Sequence, residues 1–183
     1  MNNRPLSVIC CLLALCTFVS ADQDATPAQK VAASKEAWAK ASAEHGGNYE
    51  YSVRKSSFTG SGNETVIVAK GGKIVERRYR AWSGRPVPVA PGAQPQDDGT
   101  SWTETGDQLG KHKEGAPLKT IEDLYAEAAM IAQHKLEPSE RLYVNFDKAG
   151  LLQNCFYVDT RIADDAPHTG VSIGAIKLVK AEK

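Results

Sequence analysis

The stretch that decides the fold runs Val66-Ile67-Val68-Ala69-Lys70-Gly71-Gly72-Lys73-Ile74-Val75. Two apolar, β-branched runs flank a pair of glycines. Glycine tolerates the positive φ values that a tight hairpin turn requires, so the segment predicts a β-hairpin. Its return strand continues through Arg80 to about Trp82. Upstream, Tyr49, Tyr51 and Val53 alternate with Glu50, Ser52 and Arg54, the period of a half-buried strand. Three consecutive strands joined this way define an antiparallel sheet.

Helical signals bracket these strands. Thr26-Pro27 supplies a hydroxyl cap followed by proline at the first helical position, where a missing N–H costs nothing. The helix they open runs to His45 and stops at Gly46-Gly47. Its apolar stripe is thin, so docking falls to Trp38. Further on, Thr120-Ile121-Glu122-Asp123 has the spacing of a capping box. Ile121, Leu124, Tyr125, Ala128, Ile131 and Ala132 then share one helical face, with Pro138 as the expected stop. Three more strands follow. Leu142, Val144 and Phe146 form one face of the first. Leu152, Phe156, Val158 and Ile162 are expected on one face of the second, and Cys155 away from it. Val171, Ile173, Ile176 and Leu178 make the last, with Gly174 as a bulge.

Between Trp82 and Thr120 periodicity disappears. Five prolines (86, 88, 91, 95 and 117) and six glycines over 83–118 argue against a long regular element, leaving an irregular loop of a length usually tied to function or disorder. Trp102 and Leu109 are the candidates to pin it. The resulting expectation is an α+β fold: a mainly antiparallel sheet of about six strands with two helices on one face, in the order helix, three strands, helix, three strands.

The amino terminus reads as a secretion signal over 1–21. Arg4 precedes an apolar run from Leu6 to Val19, and Val19-Ser20-Ala21 offers compact residues before cleavage after about Ala21. About 14 apolar residues fall short of a membrane span. The expectation is a secreted or periplasmic protein with one domain over 22–183 and no membrane anchor after cleavage. Of 183 residues, 22 are basic and 22 acidic. That balance argues against bulk attraction to nucleic acid. Cys10, Cys11 and Cys16 lie in the signal, so Cys155 alone would remain and no internal disulfide could form. Leu15 before Cys16 disfavours lipidation.

Trp38, the Tyr49/Tyr51 strand, Val66 and Val68 with Gly72, Thr120 to Leu124, Phe146-Asp147, Gly150 and Asp159 occur here in a particular order. In that order the chain resembles a secreted bacterial family of unknown function, over most of 37–173 apart from the long loop. Members often carry a Cys-x-Cys pair after the first strand, where this chain has Ser56-Ser57-Phe58, and a proline after the glycine, where it has Leu151-Leu152. The resemblance implies export and no activity.

Several constellations invite a chemical reading. Gly170-Val171-Ser172-Ile173-Gly174 matches a hydrolase elbow in letters, but it falls within a strand and no histidine follows it. Asp164, Asp165 and His168, with His112 added, offer metal donors without diagnostic spacing, and Asp97-Asp98 could supply more. A polar turn is the plainer account. Arg77, Arg78, Arg80 and Arg85, with Lys70 and Lys73 nearby, are the clear cationic cluster. They suit an anionic ligand or acidic partner, or else protect a solvated strand from edge pairing. Arg77 and Arg78 should face opposite sides of the sheet. Asn63-Glu64-Thr65 is a glycosylation sequon expected in a Gly-Ser loop. Cys155 has no local base or cation and reads as inert.

The leading expectation is a non-enzymatic binding module for an extracytoplasmic protein or ligand, without a cofactor. It would act through Arg77, Arg78, Arg80, Arg85 and Trp102. The alternatives are a hydrolase or metal-dependent enzyme built on Asp164, Asp165, His168 and His112, and a structural envelope component.

Overall fold

The computed structural model describes residues 25–57, 60–83, 97–162 and 167–180, with the backbone alone for 97–100. Residues 1–21, the segment expected to be a signal, lie outside them. Helix α1, Pro27–Glu44, opens on Thr26, whose hydroxyl accepts from Gln29 N while the Gln29 side chain accepts from Thr26 N. Strands β1 (Tyr49–Ser56), β2 (Gly62–Lys70) and β3 (Lys73–Trp82) follow as an antiparallel meander. At its tight turn Gly71 and Gly72 have φ of 58° and 74°, the two left-handed residues such a hairpin needs. The turn docks on the α1–β1 connection, where Gly72 N donates to Gly47 O and Gly71 N to Asn48 Oδ1.

The stretch read as irregular contains a strand. β4, Asp97–Thr105, pairs with β3, and a short 3-10 turn follows at Gly106–Gln108. Helix α2, Ile121–Ala132, has the expected capping box between Thr120 and Asp123. It ends at Ala132, well before Pro138. Its buried face is Ile121, Leu124, Tyr125 and Ala128. Strands β5 (Glu140–Phe146), β6 (Leu152–Asp159), β7 (Thr169–Ser172) and β8 (Ile176–Leu178) complete the order.

The fold is α+β, with two antiparallel sheets rather than one. The five-stranded sheet runs β4-β3-β2-β1-β8 and the three-stranded sheet runs β5-β6-β7. The last predicted strand explains the difference. Its first half, β7, pairs with β6 and its second half, β8, with β1. Between the halves Ile173 N donates to Gln153 O and Gly174 N to Ser52 O, so the chain crosses from one sheet to the other at the anticipated break.

A second correction concerns β6. Its register slips where Asn145 pairs with Asn154 but Phe146 with Leu152, which leaves Gln153 as an extra residue. The bulge inverts the side-chain phase. Cys155 therefore turns inward and is fully buried, its thiol donating to Ala128 O, while Phe156 turns outward. Burial pushes the Cys155 thiol up to about 11, consistent with an inert group. Asn63 lies within β2 rather than in a loop.

The helices cover the inner sides of both sheets. Trp38 of α1 is buried edge-on against Tyr49 of β1, with ring centroids 5.0 Å apart, and its indole N–H donates to Glu122 of α2. Ser34 donates to Gly150 O, so the Tyr125 hydroxyl donates to Ser34 while accepting from Leu152 N. One buried hydroxyl pair thus joins both helices to the turn before β6.

Candidate functional site

Alternation along β3 places Arg77 and Tyr79 on the inner side of the larger sheet, with Arg78 and Arg80 outside. Arg77 is 4% exposed; Arg78 and Arg80 are exposed. The opposite-face expectation for Arg77 and Arg78 holds. The edge-strand reading does not, because β3 lies between β2 and β4. Nor do the arginines form a free anion grip. Arg78 pairs with Glu50 at 3.1 Å and Glu76 at 3.3 Å, and Arg80 with Glu64 at 3.6 Å. Arg85 lies outside the described residues.

Arg77 meets Glu104 of β4, its register partner. Arg77 Nε donates to Glu104 Oε2 at 2.8 Å, and both side chains are buried. The ion pair organises the chain that follows β4. Glu104 Oε2 also accepts from Gly110 N at 2.8 Å, and Oε1 accepts from His112 N at 2.6 Å. The two remaining guanidinium nitrogens donate to His112 O at 2.8 Å and Ala116 O at 3.1 Å. Thr65 of β2 accepts from Ala116 N at 2.9 Å. Residues 106–118 are therefore folded over the inner side of β2-β3-β4. Gly115 permits the closest approach: its φ is +88°, and a Cβ there would lie 3.0 Å from the Thr65 hydroxyl and 3.2 Å from the Tyr79 ring.

Three rings stack beside the ion pair. Tyr79 and Trp102 have centroids 5.1 Å apart and nearly parallel planes; Trp102 and His112 are 4.3 Å apart at 8°. The Arg77 guanidinium lies 4.7 Å from the Trp102 centroid. Trp102 Nε1 is buried with no hydrogen-bond partner among the described residues. His112 Nδ1 lies 2.9 Å from Glu104 Oε1. The Arg77 guanidinium, aided by the two backbone N–H groups, holds the Glu104 carboxyl well below the usual carboxylate range despite burial. An ionised carboxylate only accepts, so Nδ1 is the donor, which leaves Nε2 as the outward-facing ring nitrogen. That side chain is 46% exposed.

Arg77 and Trp102, expected in one binding reading, are thus brought together with His112, which had been expected only in the metal alternative. Glu104, the group that joins them, was missed; so were Tyr79 and Thr65. Of the proposed metal set, only His112 and His168 fall among the described residues, and they pack against different sheets. His168 stacks on Phe156 at 4.3 Å on the smaller sheet, remote from His112 in strand order, and Asp164 and Asp165 lie outside the described residues. No group of three metal-binding side chains occurs among the described residues. Ser172 of the elbow-like motif sits in β7, bonded to Asn154. No described helix is long and apolar enough to cross a membrane. The chain matches no protein-family model, no curated protein and no solved structure.

Proposed function

We propose that the chain is an exported, non-enzymatic binding module of the secreted bacterial family it resembles. Its recognition element is the chain between β3 and α2. One observation carries this reading: Arg77 and Glu104 are engaged in shaping residues 106–118, holding four backbone donors and acceptors on the segment and the His112 side chain. A loop held in one shape binds without a large ordering cost, the usual advantage of preorganisation. Lys111, His112, Lys113 and Glu114 are consecutive among the exposed groups it presents. The test uses the secreted chain as bait for extracytoplasmic proteins. Alanine at positions 111, 113 and 114 should abolish recovery of the captured partner while thermal unfolding is unchanged. Undiminished recovery by that variant removes the proposal.

The Glu104–His112 contact supports a second reading. A buried carboxylate that fixes an imidazole with its outer nitrogen free is the positioning half of a general-base site. On this reading the chain is a hydrolase. His112→Ala would then abolish turnover in a broad ester, amide and glycoside screen, whereas the binding module shows no turnover to lose.

A further inference from the structure

Cys155 faces α2, so its neighbour Phe156 faces away from the helices. The register then sets out the outward side of β5-β6-β7 in rows. Tyr143, Phe156 and Gly170 form one row; Asn145, Asn154 and Ser172 form the next. The rows are two residues apart, about 7 Å along the strands. In the first, Tyr143 is 46% exposed and packs 5.5 Å from Phe156, while His168 lies flat on Phe156 at 4.3 Å and 6°. Gly170 places no side chain beside them. In the second, Ser172 Oγ donates to Asn154 Oδ1 at 2.9 Å, which leaves the Asn154 amide nitrogen as a donor; Asn145 is exposed. Neither row holds a carboxylate, a lysine or an arginine. Arg141, two residues before Tyr143, turns its guanidinium to the Pro138 and Glu140 carbonyls.

We propose that this face binds a neutral saccharide through Tyr143, Phe156 and His168 together with Asn145, Asn154 and Ser172. A pyranose ring has an apolar C–H face and a rim of hydroxyls that both donate and accept. It satisfies both rows at once: the C–H face lies on the aromatic row, and the rim meets the amides and the serine. An apolar protein surface would leave the amide row unpaired, at a desolvation cost. An acidic polymer finds no lysine or arginine in either row. The site lies on the other sheet from residues 106–118 and does not depend on the function proposed for them.

Affinity electrophoresis of the purified chain tests this, in gels containing soluble neutral β-glucan, glycol chitin or dextran sulfate. The chain should be retarded in at least one neutral gel. Tyr143→Ala and Asn145→Ala should each raise the apparent Kd about tenfold, the equivalent of one exposed stacking or amide contact. Both side chains are exposed, so thermal unfolding should be unchanged; Tyr143→Trp should restore retardation, and His112→Ala should leave it intact. Absence of retardation in both neutral gels overturns the proposal, as does retardation in dextran sulfate alone or retardation that survives both alanine variants. Self-association that Tyr143→Ala abolishes would assign the face to a second copy and overturn it equally.

Discussion

The inner side of the larger sheet is covered in two different ways, and its residues differ accordingly. Over β1 and the adjoining half of β2 the cover is helical, and the sheet presents Tyr49, Tyr51, Ile67 and Ala69. Over the rest of β2 and over β3 and β4 the cover is residues 106–118, and the sheet presents Thr65, Arg77 and Glu104, all buried. A helix satisfies its own backbone except at its ends. Those ends are where the tyrosine hydroxyls act: Ile121 N donates to Tyr49, and Tyr51 donates to Lys119 O. Burial pushes the Tyr49 hydroxyl up to about 12 and raises that of Tyr51, so both stay protonated. An irregular segment arrives with unpaired N–H and C=O groups, and each needs a partner once water is excluded. The buried ion pair is therefore a consequence of covering a sheet with a loop.

The hardest test of that contrast is Glu104→Leu. It strands a buried guanidinium and orphans two amides, with an expected loss of about 3–5 kcal/mol in chemical denaturation. Acid titration reads the same group with a definite sign. Glu104 resists protonation when folded, so the unfolded state takes up the proton first as pH falls. Its contribution is complete above the ordinary carboxylate range and is lost as pH drops towards the depressed folded value. Wild type should therefore lose stability between about pH 5 and 3 more steeply than Glu104→Leu. Some slope should remain in the variant, because Asp159, held down by Arg161, and Asp123, held down by Thr120, are depressed as well. Parallel curves would show that Glu104 is not held as an anion.

Replacing the whole pair sharpens the point. Exchanging a buried ion pair for apolar residues of similar size is often neutral. Here Arg77→Met with Glu104→Leu should still lose about 1–3 kcal/mol, because loop groups are left unpaired. Hydrogen exchange should speed up at the amides of Gly110 and His112 and stay slow in α1 and α2. A double variant as stable as wild type would show that the pair serves itself rather than the loop.

Sequence patterning reached the helical half and missed the other for the same reason. Trp102 and Glu104 point inward while Ser101, Thr103 and Thr105 are exposed, so β4 does alternate. Its inner slot holds a carboxylate, and an apolar-polar reading takes a carboxylate as solvent-facing. Arg77 hid in the same way, within what read as a surface cluster. The available signal was complementary: two neighbouring strands, each with one charge of opposite sign in the inward phase. α2 was legible because its cap and its apolar face coincide in one short segment. The β6 phase was not, because nothing local marks Gln153 as an extra residue. The loop-facing part of the site depends on pairing between residues 27 positions apart, which local periodicity does not encode.

On the helical side, Tyr125→Phe removes a hydroxyl that bonds Ser34 and accepts from Leu152 N. The expected loss is about 1–2 kcal/mol, well below that for Glu104→Leu, since one neutral group is withdrawn and no charge is stranded. A loss equal to that of Glu104→Leu would erase the distinction between the two covers.

The outer side of the same sheet sets the lower bound. Glu50 bridges Arg78 at 3.1 Å and Lys177 at 3.2 Å, an ion-pair row as complete on paper as the buried one. Its cations remain exposed, with Arg78 at 45% and Lys177 at 72%. Water and salt screen such pairs, and ordering two long side chains offsets much of the attraction. Arg78→Ala should therefore cost about 0–1 kcal/mol, and the difference from wild type should shrink further in 1 M salt. Arg77, one residue earlier on the same strand, should show no such salt sensitivity. A large, salt-resistant loss at Arg78 would mean that burial is not what separates the two arginines.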